Sequence, residues 1–356
     1  MKIVITTGGT GGHIVPAFAT ARCLQALGHE VALVGVFRKA KANIVNAGFM
    51  VAEIPGCGLR SYRPADLAEF MGGLAQGISQ AGRFMRRFQP DRVAAFGGYA
   101  SVAAALNAVW RKAPLIVHEQ NVIPGRANQW LGRAALRVAV SFAETSAFFG
   151  TKKTVLTGCP TVLSGSSLPN RQAARQAFGL DAAKPTLLIF GGSQGSQKIN
   201  AVFLETAVWL KGDSEFQVIH VAGEKACDAV RKSYAVQEIP AVVLPFCDRM
   251  AAAYAAADLV VARAGALTVT ELGVLRKPAV LIPYPHAGNH QAANSRILKE
   301  TGLAATVAEK DLTPYLLYEK IKSIQTVVLS LNQEDQIASR FFPDAAERLA
   351  RTIVAD

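Results

Sequence analysis

Cysteine is scarce and scattered in this chain of 356 residues: Cys23, Cys57, Cys159, Cys227 and Cys247, an odd number with no Cys-x-x-Cys pair. Such a set excludes a disulfide framework and a structural zinc site, and points to a reducing, cytosolic compartment. Long apolar runs are missing too, so no membrane span is expected. The chain opens directly on a strand-like run, so no signal peptide is expected either. Acidic residues are outnumbered, 26 against 38 basic ones, for a net charge of +12. That excess favours an anionic partner. No nucleic-acid signature and no interleaving of basic with aromatic residues is present, which leaves phosphate-bearing substrates or an acidic membrane surface; a merely solvated basic surface is the plain alternative. There is no Asp-x-Asp pair to hold a metal on a nucleotide diphosphate. No glycine loop ends in Gly-Lys-Ser/Thr, which argues against NTP hydrolysis.

What is present is ample apolar content, 51 % of residues, distributed in short runs that alternate with helical patterns. The predicted strands of the first half are Ile3–Thr6, Val31–Val34, Val51–Ile54, Val93–Phe96, Leu115–His118 and Val138–Val140. Those of the second half are Leu187–Phe190, Gln217–Val221, Val242–Leu244, Leu259–Ala262, Val280–Ile282 and Ala304–Val307. Alternation of this kind predicts an α/β protein of two parallel-sheet, Rossmann-like domains. The Ser/Gly/Pro-rich stretch Thr161–Asn170 reads as the linker. It gives domains 1–160 and 161–340, and Phe341-Phe342-Pro343 breaks the last helical region so that 341–356 can pack back on the first domain.

In such sheets ligands bind beyond the carboxyl ends of the strands, and the chemistry-bearing residues cluster there. Ile3-Val4-Ile5-Thr6 leads into Thr7-Gly8-Gly9-Thr10-Gly11-Gly12-His13. Leu187-Leu188-Ile189-Phe190 leads into Gly191-Gly192-Ser193-Gln194-Gly195-Ser196. Each is a strand, a glycine turn and a helix whose first N–H groups can meet phosphate. The second strand ends at Val34-Gly35-Val36-Phe37-Arg38 without the carboxylate that an NAD ribose requires. His13 at a helix N-terminus is disfavoured as imidazolium, which suits a general base; a turn-capping histidine is the alternative. His118-Glu119-Gln120-Asn121 lacks the second histidine of a zinc protease. It reads as polar groups reaching substrate hydroxyls, or as a buried carboxylate that shapes the site. Arg263–Glu271 follows a strand and opens a helix, where Thr268 and the first N–H groups can bind phosphate and Glu271 can accept from a ribose diol; acidic residues favoured by a helix dipole are the alternative. Leu67–Phe88 carries Leu67, Phe70, Met71, Leu74, Ile78, Phe84 and Met85 beside Arg83, Arg86 and Arg87, an apolar helix with a basic edge that fits either an anionic bilayer or a protein core.

Together, Gly8–Ala17, Gly97-Gly98-Tyr99, His118–Asn121, Gly191–Gly195, Met250-Ala251-Ala252-Ala253-Tyr254 and Gly265–Glu271 resemble, over nearly the whole chain, the MurG family of peptidoglycan glycosyltransferases. The resemblance implies a GT-B fold, with the two domains facing across a cleft. It also implies inverting transfer of N-acetylglucosamine from UDP-GlcNAc to undecaprenyl-pyrophosphoryl-MurNAc-pentapeptide (lipid I), with no cofactor and no required metal. It places the enzyme peripherally on the cytoplasmic face of the inner membrane, against an anionic surface, with cell-wall or division proteins as candidate partners. By the same match, the first domain takes the acceptor and the second the donor. Ser193 and Thr268 would meet the phosphates, Glu271 the ribose, and the main chain at Cys247 the uracil. Ala266, Gln291 and Asn121 would meet the sugar, and Leu267, Val269 and Thr270 would also bind the donor. Gly9, Thr10, Gly11, Gly12, Gly97, Gly98 and Tyr99 would meet the acceptor pyrophosphate, with Thr10, Gly11 and Gly12 also reaching the donor. His13 would be the base, assisted or rivalled by Glu119. Three departures stand out, the first being that Gly35-Val36-Phe37-Arg38 lacks the acidic residue usual in the family soon after it. Cys159-Pro160-Thr161-Val162 lacks the family's arginine after Gly158, for which Arg171 is a candidate substitute, and Ala100-Ser101-Val102-Ala103 replaces a glycine-rich run. A related GT-B transferase with another lipid acceptor, and a non-catalytic UDP-sugar or lipid-binding scaffold, are the competing readings.

Overall fold

The structure, a computed structural model, describes residues 1–9, 11–37, 40–55, 63–163, 168–192, 194–285, 289–325 and 329–355. It forms two compact units, Met1–Val162 with Phe342–Asp356, and Leu163–Phe341. Thr10, Arg38, Cys57, Ser193 and His286 lie outside the described residues.

The first unit runs β1 (Lys2–Gly8), α1 (Gly11–Ala26), β2 (Glu30–Val36), α2 (Lys41–Asn46), β3 (Met50–Glu53), α3 (Pro64–Phe88), β4 (Arg92–Ala95), α4 (Tyr99–Trp110), β5 (Leu115–Glu119), α5 (Arg126–Ala134), β6 (Arg137–Val140) and β7 (Thr154–Leu156). Its sheet has the order β3-β2-β1-β4-β5-β6-β7, and every pairing is parallel. The strands are continuous Val, Ile, Leu and Ala runs because helices cover both faces. The seventh strand, β7, is an addition to the predicted six: three residues bounded by Lys153 and Thr157 are too short for a periodicity to show.

The second unit runs α6 (Arg171–Ala177), β8 (Thr186–Phe190), α7 (Gln197–Asp213), β9 (Gln217–Val221), α8 (Cys227–Val236), β10 (Ala241–Leu244), α9 (Met250–Ala256), β11 (Leu259–Ala262), α10 (Ala266–Val274), β12 (Ala279–Leu281), α11 (His290–Glu300), β13 (Ala304–Thr306), α12 (Pro314–Gln325) and α13 (Leu331–Arg340). The sheet order is β10-β9-β8-β11-β12-β13, again all parallel. The last helix, α14 (Ala345–Val354), belongs to the first unit. Its fully buried Leu349 and Ile353 pack with Ala17, Ala21 and Leu24 of α1, and Arg92 under the sheet donates to the Ile353 carbonyl at 3.0 Å. Full burial of each such aliphatic side chain contributes about 1.5–3 kcal/mol, enough to dock a ten-residue helix that would not hold its shape alone.

Both sheet orders reverse direction once. In the first unit the reversal falls between β1 and β4, and in the second between β8 and β11. At such a point the helices leaving the two neighbouring strands go to opposite faces, which opens a crevice above the strands' carboxyl ends. The glycine turns after β1, β4 and β8 and the turn after β11 stand at those two positions.

Candidate functional site

In the first unit, Gly11 and Gly12 open α1 and are exposed, so its first N–H groups face solvent above the β1/β4 crevice. His13 follows, half-buried, with its Nδ1 3.0 Å from the side-chain oxygen of Gln120 at the end of β5. The turn after β4 closes beneath it. Gly98 has φ +78°, and a Cβ there would lie 2.7 Å from the Gly8 carbonyl oxygen. A Cβ on Gly97 would approach the His13 ring to 3.4 Å and the Asn128 amide to 3.1 Å. Only glycine fits both the left-handed backbone and the space. Tyr99, the first residue of α4, is exposed and packs edge-on to Phe70 of α3, ring centroids 5.7 Å apart. The arrangement offers backbone N–H groups and a positive helix end to an anion, with an imidazole beside them.

In the second unit the turn after β8 crosses the turn after β9. A Cβ on Gly195 would meet the Ala222 carbonyl at 2.1 Å, so the two loops touch through bare backbone. Asn200 of α7 holds the crossing from below by donating to the Ala222 carbonyl, and its own oxygen meets buried His220, which meets the Tyr234 hydroxyl at 2.8 Å. Burial lowers His220 to about 3, so this network is neutral. Arg263 joins the loops from the other side, bonded to Ser196 and to the Ile282 carbonyl and ion-paired with Glu309. After it, α10 starts at Ala266. Val269 N–H is already bonded to the Gly265 carbonyl, whereas the N–H groups of Ala266, Leu267 and Thr268 lie ahead of the ladder and face the crevice. Glu271 is 8 % exposed and accepts a 2.9 Å hydrogen bond from the hydroxyl of fully buried Tyr254. Burial, then the Glu271 charge, pushes that phenol well above its usual range, so Tyr254 is a donor at every working pH. Gln291 of α11 accepts from the N–H groups of Ala264 and Tyr284 through Oε1. This fixes its amide with Nε2 outward, and Nε2 has no hydrogen-bond partner among the described residues. Among the described residues no group of three His, Cys, Asp or Glu could hold a metal, and no helix is long and apolar enough to cross a membrane.

Family models match both units: the N-terminal domain of glycosyltransferase family 28 over residues 3–140 and its C-terminal domain over residues 186–349. The chain belongs to glycosyltransferase family 28. It is 37 % identical over 330 residues to a UDP-N-acetylglucosamine–N-acetylmuramyl-(pentapeptide) pyrophosphoryl-undecaprenol N-acetylglucosamine transferase of Acetivibrio thermocellus, covering 91 % of this chain and 89 % of that one. It is 35 % identical to the protein of the same name from Thermodesulfovibrio yellowstonii, covering 98 % and 97 %. The crystal structure of Acinetobacter baumannii MurG superposes with a TM-score of 0.72 at 28 % identity, covering 99 % of each chain.

The structure narrows four sequence-based expectations for this family 28 chain. Glu119 is 1 % exposed, and both its oxygens are engaged: Oε1 by the N–H and side-chain amide of Asn121, Oε2 by Gly125 N–H and Asn128 Nδ2. A carboxylate holding four donors shapes the 121–125 loop, and neither of its oxygens is left open to take a proton. The side chains of Val269 and Thr270 are 0 % and 2 % exposed, carried round from Thr268 by the helix period, so neither side chain is offered to a donor. Arg171 pairs with Asp258, which precedes β11 at the amino ends of the strands, so it is no substitute for the missing arginine. In α3, Met85 is fully buried, and Leu74, Ile78 and Phe84 pack against the core. Of its large apolar side chains only Leu67 and Met71 are exposed, about 18–24 Å along the helix from Arg83.

The remaining expected residues divide plainly. His13, Gly11, Gly12, Gly97, Gly98 and Tyr99 meet at one crevice, and Gly9 is exposed beside them. Ala266, Leu267, Thr268, Glu271 and Gln291 converge around the turn after β11. Cys247 is buried beyond β10, its thiol pushed up by burial, which leaves contact there to its main chain. Asn121 directs its amide to Glu119. Thr10 and Ser193 lie outside the described residues. Gln120, Asn128 and Tyr254 were not singled out from sequence. Gln120 and Tyr254 stand within the quoted motifs, and their polar ends beside apolar strands were the available signal.

Proposed function

We propose that this protein is the N-acetylglucosaminyltransferase that makes lipid II. It moves N-acetylglucosamine from UDP-GlcNAc to undecaprenyl-pyrophosphoryl-MurNAc-pentapeptide, with inversion at the anomeric carbon. The observation that carries this reading is 35–37 % identity over nine-tenths or more of the chain to transferases named for that reaction.

The site residues support a division of labour. In the second unit, the free N–H groups of Ala266, Leu267 and Thr268 and the Gly191–Ser196 loop receive the diphosphate of UDP. Glu271 takes the ribose diol, and the main chain at Cys247 meets the uracil. Gln291 donates through Nε2 to a sugar hydroxyl, with Asn121 as a further sugar contact. In the first unit, the Gly9–Gly12 turn and Gly97-Gly98-Tyr99 receive the acceptor pyrophosphate. In the reaction, the acceptor hydroxyl oxygen attacks the anomeric carbon and the sugar–phosphate bond breaks. His13 Nε2 takes the hydroxyl proton, and UDP leaves with the bonding pair, its charge met by helix N–H groups. Peripheral binding at the cytoplasmic face of the membrane draws on exposed Leu67, Met71 and Tyr99 and on the net charge of +12. Cell-wall or division proteins are the candidate macromolecular partners.

A turnover assay with purified protein, UDP-GlcNAc and a short-chain lipid I analogue tests the assignment. Disaccharide product is expected. His13→Ala should retain UDP binding and lose on the order of 10²–10⁴ in kcat. Transfer only to a different lipid acceptor, or UDP-GlcNAc binding without transfer to any acceptor, would replace this reading with one of its two competitors.

A further inference from the structure

Beneath the His13 imidazole lies a chain of hydrogen bonds whose directions are all determined. The Nε2 of His118 is 3.1 Å from the Gly158 carbonyl oxygen, and a carbonyl can only accept. His118 therefore carries its proton on Nε2. It is 1 % exposed, and burial lowers it to about 4, so the ring is neutral and its Nδ1 is a bare lone pair. Gln120 places one side-chain terminus 3.0 Å from the Phe96 carbonyl oxygen, 3.0 Å from that Nδ1 and 3.3 Å from the His118 carbonyl oxygen. All three neighbours accept, so this terminus is the amide nitrogen, with its two hydrogens shared among them. The opposite terminus is then the oxygen, and it faces His13 Nδ1 at 3.0 Å.

We propose that Gln120, held by His118 and the Phe96 carbonyl, is a positioning residue that locks His13 in the Nδ1–H tautomer and so keeps the Nε2 lone pair toward the acceptor. A neutral imidazole has one proton to place, and the partner of one nitrogen decides the state of the other. An amide oxygen anchored from behind can accept from Nδ1 and cannot donate to it. The tautomer with its proton on Nε2 would set two acceptors face to face at 3.0 Å and present the acceptor hydroxyl with a donor. The device is rigid because its two fixed points, the carbonyls of Phe96 and Gly158, belong to the strand ends of the parallel sheet. Gln120 itself is 2 % exposed, so its side chain acts through the groups it touches.

The inference rests on His13 being the base, and the test separates the two. Long-range ¹⁵N–¹H spectra of histidine-labelled protein should show His13 as the Nδ1–H tautomer. Gln120→Met, of similar volume, should release that preference and lower kcat about 10- to 100-fold, the scale on which a partner that orients a working imidazole counts. UDP affinity should stay unchanged. A wild-type His13 that carries its proton on Nε2, or a Gln120→Met variant with tautomer and kcat both intact, overturns the lock. Should Gln120→Met fail to fold, the wild-type spectrum alone decides. A tautomer that shifts while kcat holds would leave the lock standing and remove His13 as the base.

Discussion

Tyr254→Phe is the sharpest test of how the second unit holds its nucleotide. The substitution keeps the ring, which packs edge-on to Phe190 with centroids 6.1 Å apart, and removes only the hydroxyl that donates to Glu271 Oε2 at 2.9 Å. Both partners are buried, so water cannot replace the lost donor without entering the core. A hydrogen bond to a charged group contributes about 1.5–3 kcal/mol. For a unit of this size each kcal/mol moves the melting temperature by about 2–4 °C, so a fall of about 3–12 °C is expected. If half of the bond's energy serves to hold the carboxylate in the rotamer that meets a ribose, UDP binding weakens about 4- to 12-fold. Glu271→Ala removes the contact itself and should cost UDP about 1.5–3 kcal/mol. In that background Tyr254→Phe should have no further effect on UDP binding, because the two residues act as one unit. Calorimetry for affinity and differential scanning for stability read both effects. A Tyr254→Phe protein that melts and binds UDP as the wild type does would show that Glu271 is not held by this bond.

Gly98→Ala should destabilise the first unit by about 1–3 kcal/mol in urea unfolding, because it adds backbone strain at φ +78° to a Cβ 2.7 Å from the Gly8 carbonyl oxygen, and transfer should fall with it; unchanged stability would mean the turn has room to move. His118 is lowered by burial from 6.5 to about 4, so the unfolded chain takes up its proton first as pH falls. This contribution to stability is complete above pH 6.5 and is lost as pH falls toward 4, by about 3 kcal/mol. His220, lowered to about 3, adds to the loss in the same direction. Unfolding measured from pH 7 to pH 4 should show this slope, and His118→Phe should flatten it. Leu67→Ser with Met71→Ser should reduce binding to anionic vesicles more than Ser at Arg83, Arg86 and Arg87 does, since only the former pair is an exposed apolar anchor; the reverse order would return the membrane contact to the basic end of α3.

Strand positions, the parallel sheets and the placement of the candidate residues at strand ends were legible in the sequence. The reason is that they depend on local patterns: Val, Ile and Leu runs, glycine turns, and helix starts within a few residues. Twelve strands were placed this way, and only β7 was missed, because three residues carry no period. The positions of His13, Thr268 and Glu271 were legible for the same reason, each lying in the first two turns of a helix that follows a strand end.

What required tertiary structure was the partner of each polar group. His118, Glu119 and Gln120 are consecutive, yet one is anchored to Gly158, one is enclosed by Asn121, Gly125 and Asn128, and one reaches His13 across 107 positions. Alternation along β5 places neighbouring side chains on opposite faces, and only the packing of other segments decides which face meets a histidine and which meets amide donors. The same holds for Arg171, whose position at the amino ends of the strands depends on β11, and for α3, whose apolar stripe is core along one half and exposed along the other. A sequence states which groups must find partners. The chain's return through the fold decides which partners they find, and here it gives the His13 imidazole one amide oxygen and the Glu119 carboxylate four donors.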